Sequence, residues 1–232
     1  MSSGAETAPD PKRTLTELEL DSEQLTDWRM LIDTLHASFD THDFITAVKL
    51  VDAITLAAEE MDHHPDLDLA YGRLDARLSS HDVGGVTSRD VVLARAISEL
   101  ALAAGATPHP ERTSVLELGL DSADAAKIRP FWAALLDYDL VEAFGEIQLR
   151  DATGRRATIW FQPTDAHDVP RQRWHLDLRI PPEMVEDRIA AAIEAGGELV
   201  DDTAAPAFWV LADPQGNRAC LTTWQGRGSP GA

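Results

Sequence analysis

The pentapeptide Leu116-Glu-Leu-Gly-Leu120 is followed by a helical stretch over 123–136 and then by Asp139-Leu-Val-Glu142. The same order returns further on, as Trp174-His-Leu-Asp-Leu178, a helical stretch over 184–195 and Glu198-Leu-Val-Asp201. A hairpin pattern closes each copy. The first has apolar runs at 147–150 and 157–162 around the turn Asp151-Ala-Thr-Gly154; the second has runs at 208–212 and 218–224 around Asp213-Pro-Gln-Gly216. Both copies therefore read strand, helix, three strands. A unit of that shape leaves one face of its sheet uncovered, so the two copies are expected to pack as one domain.

Upstream of this repeat lies Gly105-Ala-Thr-Pro-His-Pro-Glu-Arg112, whose two prolines and low apolar content read as a linker. Before it the chain changes character. Residues 28–39 read as a strand ending at the turn-like Asp40-Thr41-His42-Asp43. Phe44, Val48, Val51, Ile54 and Ala58 recur at helical spacing and predict a helix over 44–61, stopped by Pro65. Ala70, Gly72, Leu74, Ala76 and Leu78 alternate with polar residues, a period-two strand. Gly84-Gly85 makes a turn, and Thr87 opens a helix running to about 104. The expected organisation is a tail over 1–14, a first domain over 15–105, a linker over 106–112, a second domain over 113–227 and a tail over 228–232.

Composition narrows the function classes. Of 232 residues, 44% are apolar and 26% charged, the balance of a folded globular protein. Twenty Lys and Arg against 40 Asp and Glu leave a net charge of −20. That balance opposes nucleic acid, which needs a basic surface, and an anionic membrane face. The single cysteine, Cys220, excludes an intramolecular disulfide framework and multi-cysteine zinc sites. The N-terminus has no signal-peptide apolar run, and no stretch reaches the roughly 18 apolar residues of a membrane helix. Cytoplasm is the expected location.

The densest chemistry is Glu59-Glu60-Met61-Asp62-His63-His64-Pro65, followed by Ser80-His81-Asp82 and Asp90. Helical spacing would put Glu59 with His63, and Glu60 with His64, on shared faces. Three imidazoles and a carboxylate suit proton transfer near neutrality. The same residues also read as a solvated helix end, and Asp90 as the partner of Thr87 in a capping box. A zinc site is a poorer reading, because the adjacent histidines lack the His-Glu-x-x-His spacing. Periodicity alone leaves these alternatives open.

The run Glu59-x-x-Asp62-His63-His64-Pro65-x(5)-Tyr71, then Ser80-His81-Asp82-x-Gly84-Gly85-x-Thr87-x-x-Asp90-x-x-Leu93-Ala94, resembles the pterin-4a-carbinolamine dehydratases. Trp28 and the 39–44 stretch also look like that family's, with Thr41 in place of an aromatic. The resemblance implies an α+β fold, a four-stranded antiparallel sheet with helices on one face, assembled as homo-oligomers (dimers or tetramers). It implies a cofactor-free dehydration of a pterin substrate, 4a-hydroxytetrahydropterin, to the quinonoid dihydropterin. It assigns catalytic positions to His63, His64, His81 and Glu59, with Glu59 orienting His63, and substrate-binding positions to Asp62, Asp90 and Tyr71. One departure is Asp66-Leu-Asp-Leu-Ala70, where Leu67 stands in place of a frequent Trp.

The C-terminal half resembles the glyoxalase/bleomycin-resistance/dioxygenase superfamily, whose architecture is a paired βαβββ module. The carriers are Asp121-x-x-Asp124-x(6)-Phe131-Trp132-x-x-Leu135-Leu136, His175-Leu-Asp-Leu178 and Asp213-Pro-x-Gly216-Asn217-x-x-Cys220. Metal-using members place ligands on the first and last strands of each module. Here Glu117 and His175 fall at the first-strand positions, Cys220 at one last strand and Trp160 near the other. An indole cannot ligate, so no metal is expected, with Glu117 and His175 the only weak candidates. The tryptophans concentrated in this half read as core, or as a wall for a flat heterocycle such as a pterin. The alternatives to a dehydratase with an accessory domain are a non-catalytic small-molecule-binding or regulatory protein, and metal-dependent chemistry in the second half.

Overall fold

Leu35, Ala37 and Phe39 are buried on one side of a strand whose other side carries His36, Ser38 and Asp40. Alternation of apolar with polar residues commits one face of a sheet to a core, and here Ser38 on the opposite face is buried as well. The computed structural model describes residues 10–126, 128–129, 133, 138–165, 174–194, 197–212 and 218–227. The chain divides into two compact units, 1–113 and 114–232.

In the first unit, α1 (Glu17–Ser22) is capped by Thr16, which makes a capping box with Glu19. The 28–39 segment is two strands rather than one. β1 (Arg29–Leu31) and β2 (Thr34–Asp40) pair antiparallel around Ile32, which takes a left-handed φ of 62°. Asp43 caps α2 (Phe44–Met61), its side chain accepting from Thr46 N at 2.7 Å. The expected strand over 70–78 is also a hairpin. β3 (Asp66–Ala70) and β4 (Arg73–Leu78) turn at Tyr71-Gly72, where Gly72 supplies the positive φ of 67°. α3 (Ser88–Ala103) follows its capping box of Thr87 and Asp90.

The expected linker is tied into this unit. β5 (Thr107–Pro108) pairs with β2, and a short 3-10 helix follows at Pro110–Arg112. Pro108 is tolerated because an edge strand needs no N–H there. The sheet runs β1-β2-β4-β3, with β5 alongside β2, and every pairing is antiparallel. Leu50 and Ile54 of α2, with Leu93 and Ile97 of α3, join Phe39, Leu74 and Leu78 in one cluster. Each such side chain contributes about 1.5–3 kcal/mol on burial.

The second unit carries both copies of the repeat: β6 (Val115–Ser122), β7 (Asp139–Ala143), β8 (Glu146–Arg150) and β9 (Thr158–Pro163), then β10 (Trp174–Arg179), α4 (Val185–Glu194), β11 (Glu198–Asp201), β12 (Phe208–Ala212) and β13 (Arg218–Thr222). They form one eight-stranded sheet in the order β11-β12-β13-β10-β6-β9-β8-β7. Within each copy the first and last strands are parallel neighbours, and the two first strands, β6 and β10, meet antiparallel at the centre. Each copy has its own apolar cluster, Leu120, Leu149, Ile159 and Phe161 in one and Ile180, Val185, Leu211 and Leu221 in the other. Positions 125–126, 128–129 and 133 of the expected first-copy helix are helical. Phe131, Trp132, Leu135, Leu136, the turn at 213–217 and both outer tails, 1–9 and 228–232, lie outside the described residues. No helix among the described residues is long and apolar enough to cross a membrane.

Candidate functional site

α2 ends at Met61 because Asp62 turns left-handed, at φ 47° and ψ 41°. Asp62 N–H reaches Glu59 O at 3.3 Å and His63 N–H reaches Ala58 O at 3.1 Å, the pattern that reverses a chain at a helix end. The chain therefore leaves the helix before the histidines, and Pro65 precedes β3 rather than stopping α2. The helical pairings of Glu59 with His63 and Glu60 with His64 do not form. Glu59 Oε1 instead meets His64 Nε2 at 3.1 Å on the surface, while His63 turns inward. Glu59 thus orients His64, not His63.

His63 is buried, and its Nε2 lies 2.7 Å from Asp90 Oδ1. Asp90 is fully buried; its Oδ2 accepts from Ser80 Oγ at 2.7 Å, Thr87 N at 2.7 Å and Thr87 Oγ1 at 3.2 Å. The capping-box reading of Asp90 is thus met, while its complete burial takes the carboxylate away from the substrate-binding position the resemblance gave it and sets it behind His63 instead. With His63 Nε2–H donated to Asp90, Nδ1 is the ring atom left to accept a proton.

The β3–β4 register sets Asp66 opposite Arg77. It therefore carries the histidine pair, just before β3, and Ser80-His81, just after β4, to one end of the hairpin. The 80–85 loop closes there through Ser80 N–H to Gly85 O at 2.8 Å. His81 is exposed and makes no hydrogen bond or ion pair among the described residues. Beside it, Arg89 and Lys12 hold the Asp82 carboxyl at about 2. Tyr71 does not join this group: it sits 86% exposed at the far turn of the hairpin. A strand of that length puts it roughly 20 Å from His64 along the chain. Leu67 packs against the core cluster.

The second unit holds a cavity of about 440 Å³, lined among others by Glu117, Trp160, His175, Asp177 and Cys220. Glu117 pairs with Arg179 at 3.6 Å, and burial raises its carboxyl above the usual range. The four positions that the glyoxalase resemblance gives to metal ligands do not fit a metal, since Trp160 cannot ligate and Glu117 is engaged. His175, Asp177 and Cys220 converge instead, their ligating atoms all within 4.8 Å of one another. Burial, with the Asp177 charge and hydrogen bond, pushes the Cys220 thiol up to about 12. Burial likewise raises Asp177. Asp177 was legible as the i+2 neighbour of His175 on one strand face, but its meeting with Cys220 depends on the β10–β13 register.

Fold and site together define an α+β protein with a histidine–carboxylate centre in one unit and a duplicated βαβββ sheet in the other. Residues 11–100 match the family described as Pterin 4 alpha carbinolamine dehydratase, and residues 117–222 match a Glyoxalase-like domain. The chain belongs to the pterin carbinolamine dehydratase family and carries a glyoxalase-like domain after it. A Thermosynechococcus vestitus protein, provisionally named pterin-4-alpha-carbinolamine dehydratase, is 36% identical over 86 residues, 37% of this chain and 90% of the relative. The crystal structure of a transcriptional coactivator/pterin dehydratase from Brucella melitensis is 33% identical over 38% of this chain and 99% of its own, with a TM-score of 0.37. A glyoxalase/bleomycin resistance protein/dioxygenase superfamily member from Vibrio splendidus 12B01 is 12% identical over 48% of this chain and 99% of its own, with a TM-score of 0.34. Membership of the family supports dehydratase chemistry in general for this chain.

Proposed function

We propose that the first unit dehydrates 4a-hydroxytetrahydropterin to the quinonoid dihydropterin by acid–base catalysis. His63 Nδ1 takes the proton from N5 of the pterin. The N5–H electron pair becomes the N5=C4a double bond as the C4a–O bond breaks, and the departing hydroxyl leaves as water after gaining a proton. His64 and His81, exposed at the same end of the β3–β4 hairpin, are the donors available for that proton. Asp90 positions His63 by accepting from Nε2, and Asp62, beside the histidines, contacts the substrate. No oxidant, reductant or metal enters the balance. General acid–base groups of this kind contribute about 10²–10⁴ in rate.

The observation that carries this reading is the buried His63–Asp90 pair at 2.7 Å. The second unit is accessory to the reaction, so chelation leaves turnover unchanged. The test is stopped-flow absorbance of 4a-hydroxytetrahydropterin decay, generated in situ, with wild-type and His63→Ala protein. Acceleration by the wild type alone is expected; equal acceleration by both would overturn the role of His63. No acceleration by either would leave the histidine centre as a binding site.

A further inference from the structure

His81 differs from the two histidines beside it. His63 is held by Asp90 and His64 by Glu59, whereas no side chain among the described residues hydrogen-bonds the His81 ring. Its position is set by the loop that carries it. One end of that loop is fixed by Ser80, which is buried. Ser80 Oγ lies 2.7 Å from Asp90 Oδ2 and 2.9 Å from Thr87 Oγ1, and its carbonyl accepts from Val83 N at 3.1 Å and Gly84 N at 3.0 Å. The other end, at Gly85 and Val86, rests on residues 12–15.

Leu15 N–H donates to Val86 O at 2.7 Å, so the main chain of this segment is joined to the loop. Lys12 Nζ stands 3.1 Å from Asp82 Oδ2, and Arg89 Nη2 stands 2.6 Å from Oδ1 of the same carboxylate, which directly follows His81. Gly85 is buried against the segment: a Cβ there would meet Thr14 Cγ2 at 3.1 Å and Thr14 Cβ at 3.7 Å. The segment is anchored in turn. Arg13 pairs with Glu19 at 2.8 Å, Thr16 caps α1, and Leu20 of α1 belongs to the core cluster. Residues leading into a domain usually fray unless tied down in this way. We propose that residues 12–15 are a positioning strap for catalysis: by holding the 80–86 loop they fix the His81 ring at the substrate. This rests on the dehydration reading and adds to it residues that act through His81 rather than on the pterin.

The contacts are unequal. Lys12 and Asp82 are exposed, and exposed ion pairs hold little. The Leu15–Val86 hydrogen bond and the close approach of Thr14 to Gly85 do most of the holding. Gly85 has no positive φ, so an added Cβ fits its backbone, and what that Cβ disturbs is the contact with Thr14. Because Leu15 is bonded to Val86, pushing Thr14 away from Gly85 also strains that bond. Misplacing a catalytic group by about 1 Å costs up to about 10²-fold in rate, so even a smaller displacement of His81 is measurable.

The test is a set of full-chain variants read by two measurements, stopped-flow decay of 4a-hydroxytetrahydropterin and amide hydrogen exchange over residues 80–86. Gly85→Ala should lower kcat by about tenfold and speed exchange in the loop while α2 stays protected. Adding Thr14→Ala, which removes the methyl that the added Cβ meets, should restore most of both. In a His81→Ala background, Gly85→Ala should cost nothing further in kcat, because the strap acts through that ring. A merely structural strap would cost as much there. The proposal is overturned if Gly85→Ala turns over at the wild-type rate, if Thr14→Ala brings no recovery, or if the cost persists without His81. No turnover by the wild type would overturn the dehydration reading instead, and exchange in the loop would then decide whether the strap holds it.

Discussion

His63 Nε2 and Asp90 Oδ1 stand 2.7 Å apart, and the other oxygen of the same carboxylate caps the first turn of α3. The ring and the helix start are therefore fixed to one another. A change at the helix cap is felt at the histidine, and the reverse also holds.

Asp90→Asn separates the two roles. An amide cannot accept from His63 on one atom and from Ser80 and Thr87 on the other, so some buried donors lose their partner. Stability should fall by about 1–3 kcal/mol in urea unfolding. Turnover should fall at least tenfold as the His63 tautomer is released. Lost stability with full turnover would restrict Asp90 to capping.

Asp62 occupies a left-handed position with no glycine. Asp62→Gly should relieve left-handed strain of about 1–2 kcal/mol, offset by about 0.5–1 kcal/mol of extra unfolded-state entropy, whereas Asp62→Val should lower stability. Denaturant midpoints measure both. If Asp62 also contacts the pterin, Asp62→Gly raises KM despite the better fold; an unchanged KM would confine the residue to the turn.

Burial, reinforced by Arg77 across the strand pair, pushes the His36 imidazole from 6.5 down to about 4 despite the opposing Asp33. Between those values the unfolded chain binds a proton that the folded chain refuses. Stability should therefore fall as pH drops from 6.5 towards 4, by up to about 3 kcal/mol from this residue. His36→Gln should flatten that limb. An unchanged pH profile in the variant would show that another group sets it.

With its thiol pushed up to about 12 by burial and the neighbouring Asp177, Cys220 is almost wholly protonated at pH 8. Iodoacetamide should modify it about 10²–10³-fold more slowly than in urea-unfolded protein, with mass spectrometry as the readout. Comparable rates would mean that the thiol is not raised by its half-buried setting.

The helices over 44–61 and 88–103 were legible because apolar spacing and the Asp43 and Thr87 caps agree. The βαβββ duplication was legible because each copy repeats the same order of patterns. The missed hairpins share a cause. Ile32 adopts a left-handed conformation that no turn rule assigns to a β-branched residue, and Gly72 fits the apolar alternation it interrupts. The partners of His63 and His64 turn on one dihedral, that of Asp62, where a glycine would have been the signal. The pairing of Asp177 with Cys220 is set by a register between strands distant in sequence, which local patterning does not carry.

The pairing of β5 with β2 bears on how the first unit can be separated from the rest. Phe39 and Asp40 face Pro108 and Thr107, and His109 N–H reaches Ser38 O at 2.8 Å. A truncation ending at residue 105, where the prolines invite a cut, would bare the backbone of β2 from Ser38 to Asp40. Uncovered strand edges recruit other strands, so such a fragment is prone to aggregate. A fragment running through Thr113 keeps that edge covered, and it is the version to use for dehydration assays in isolation.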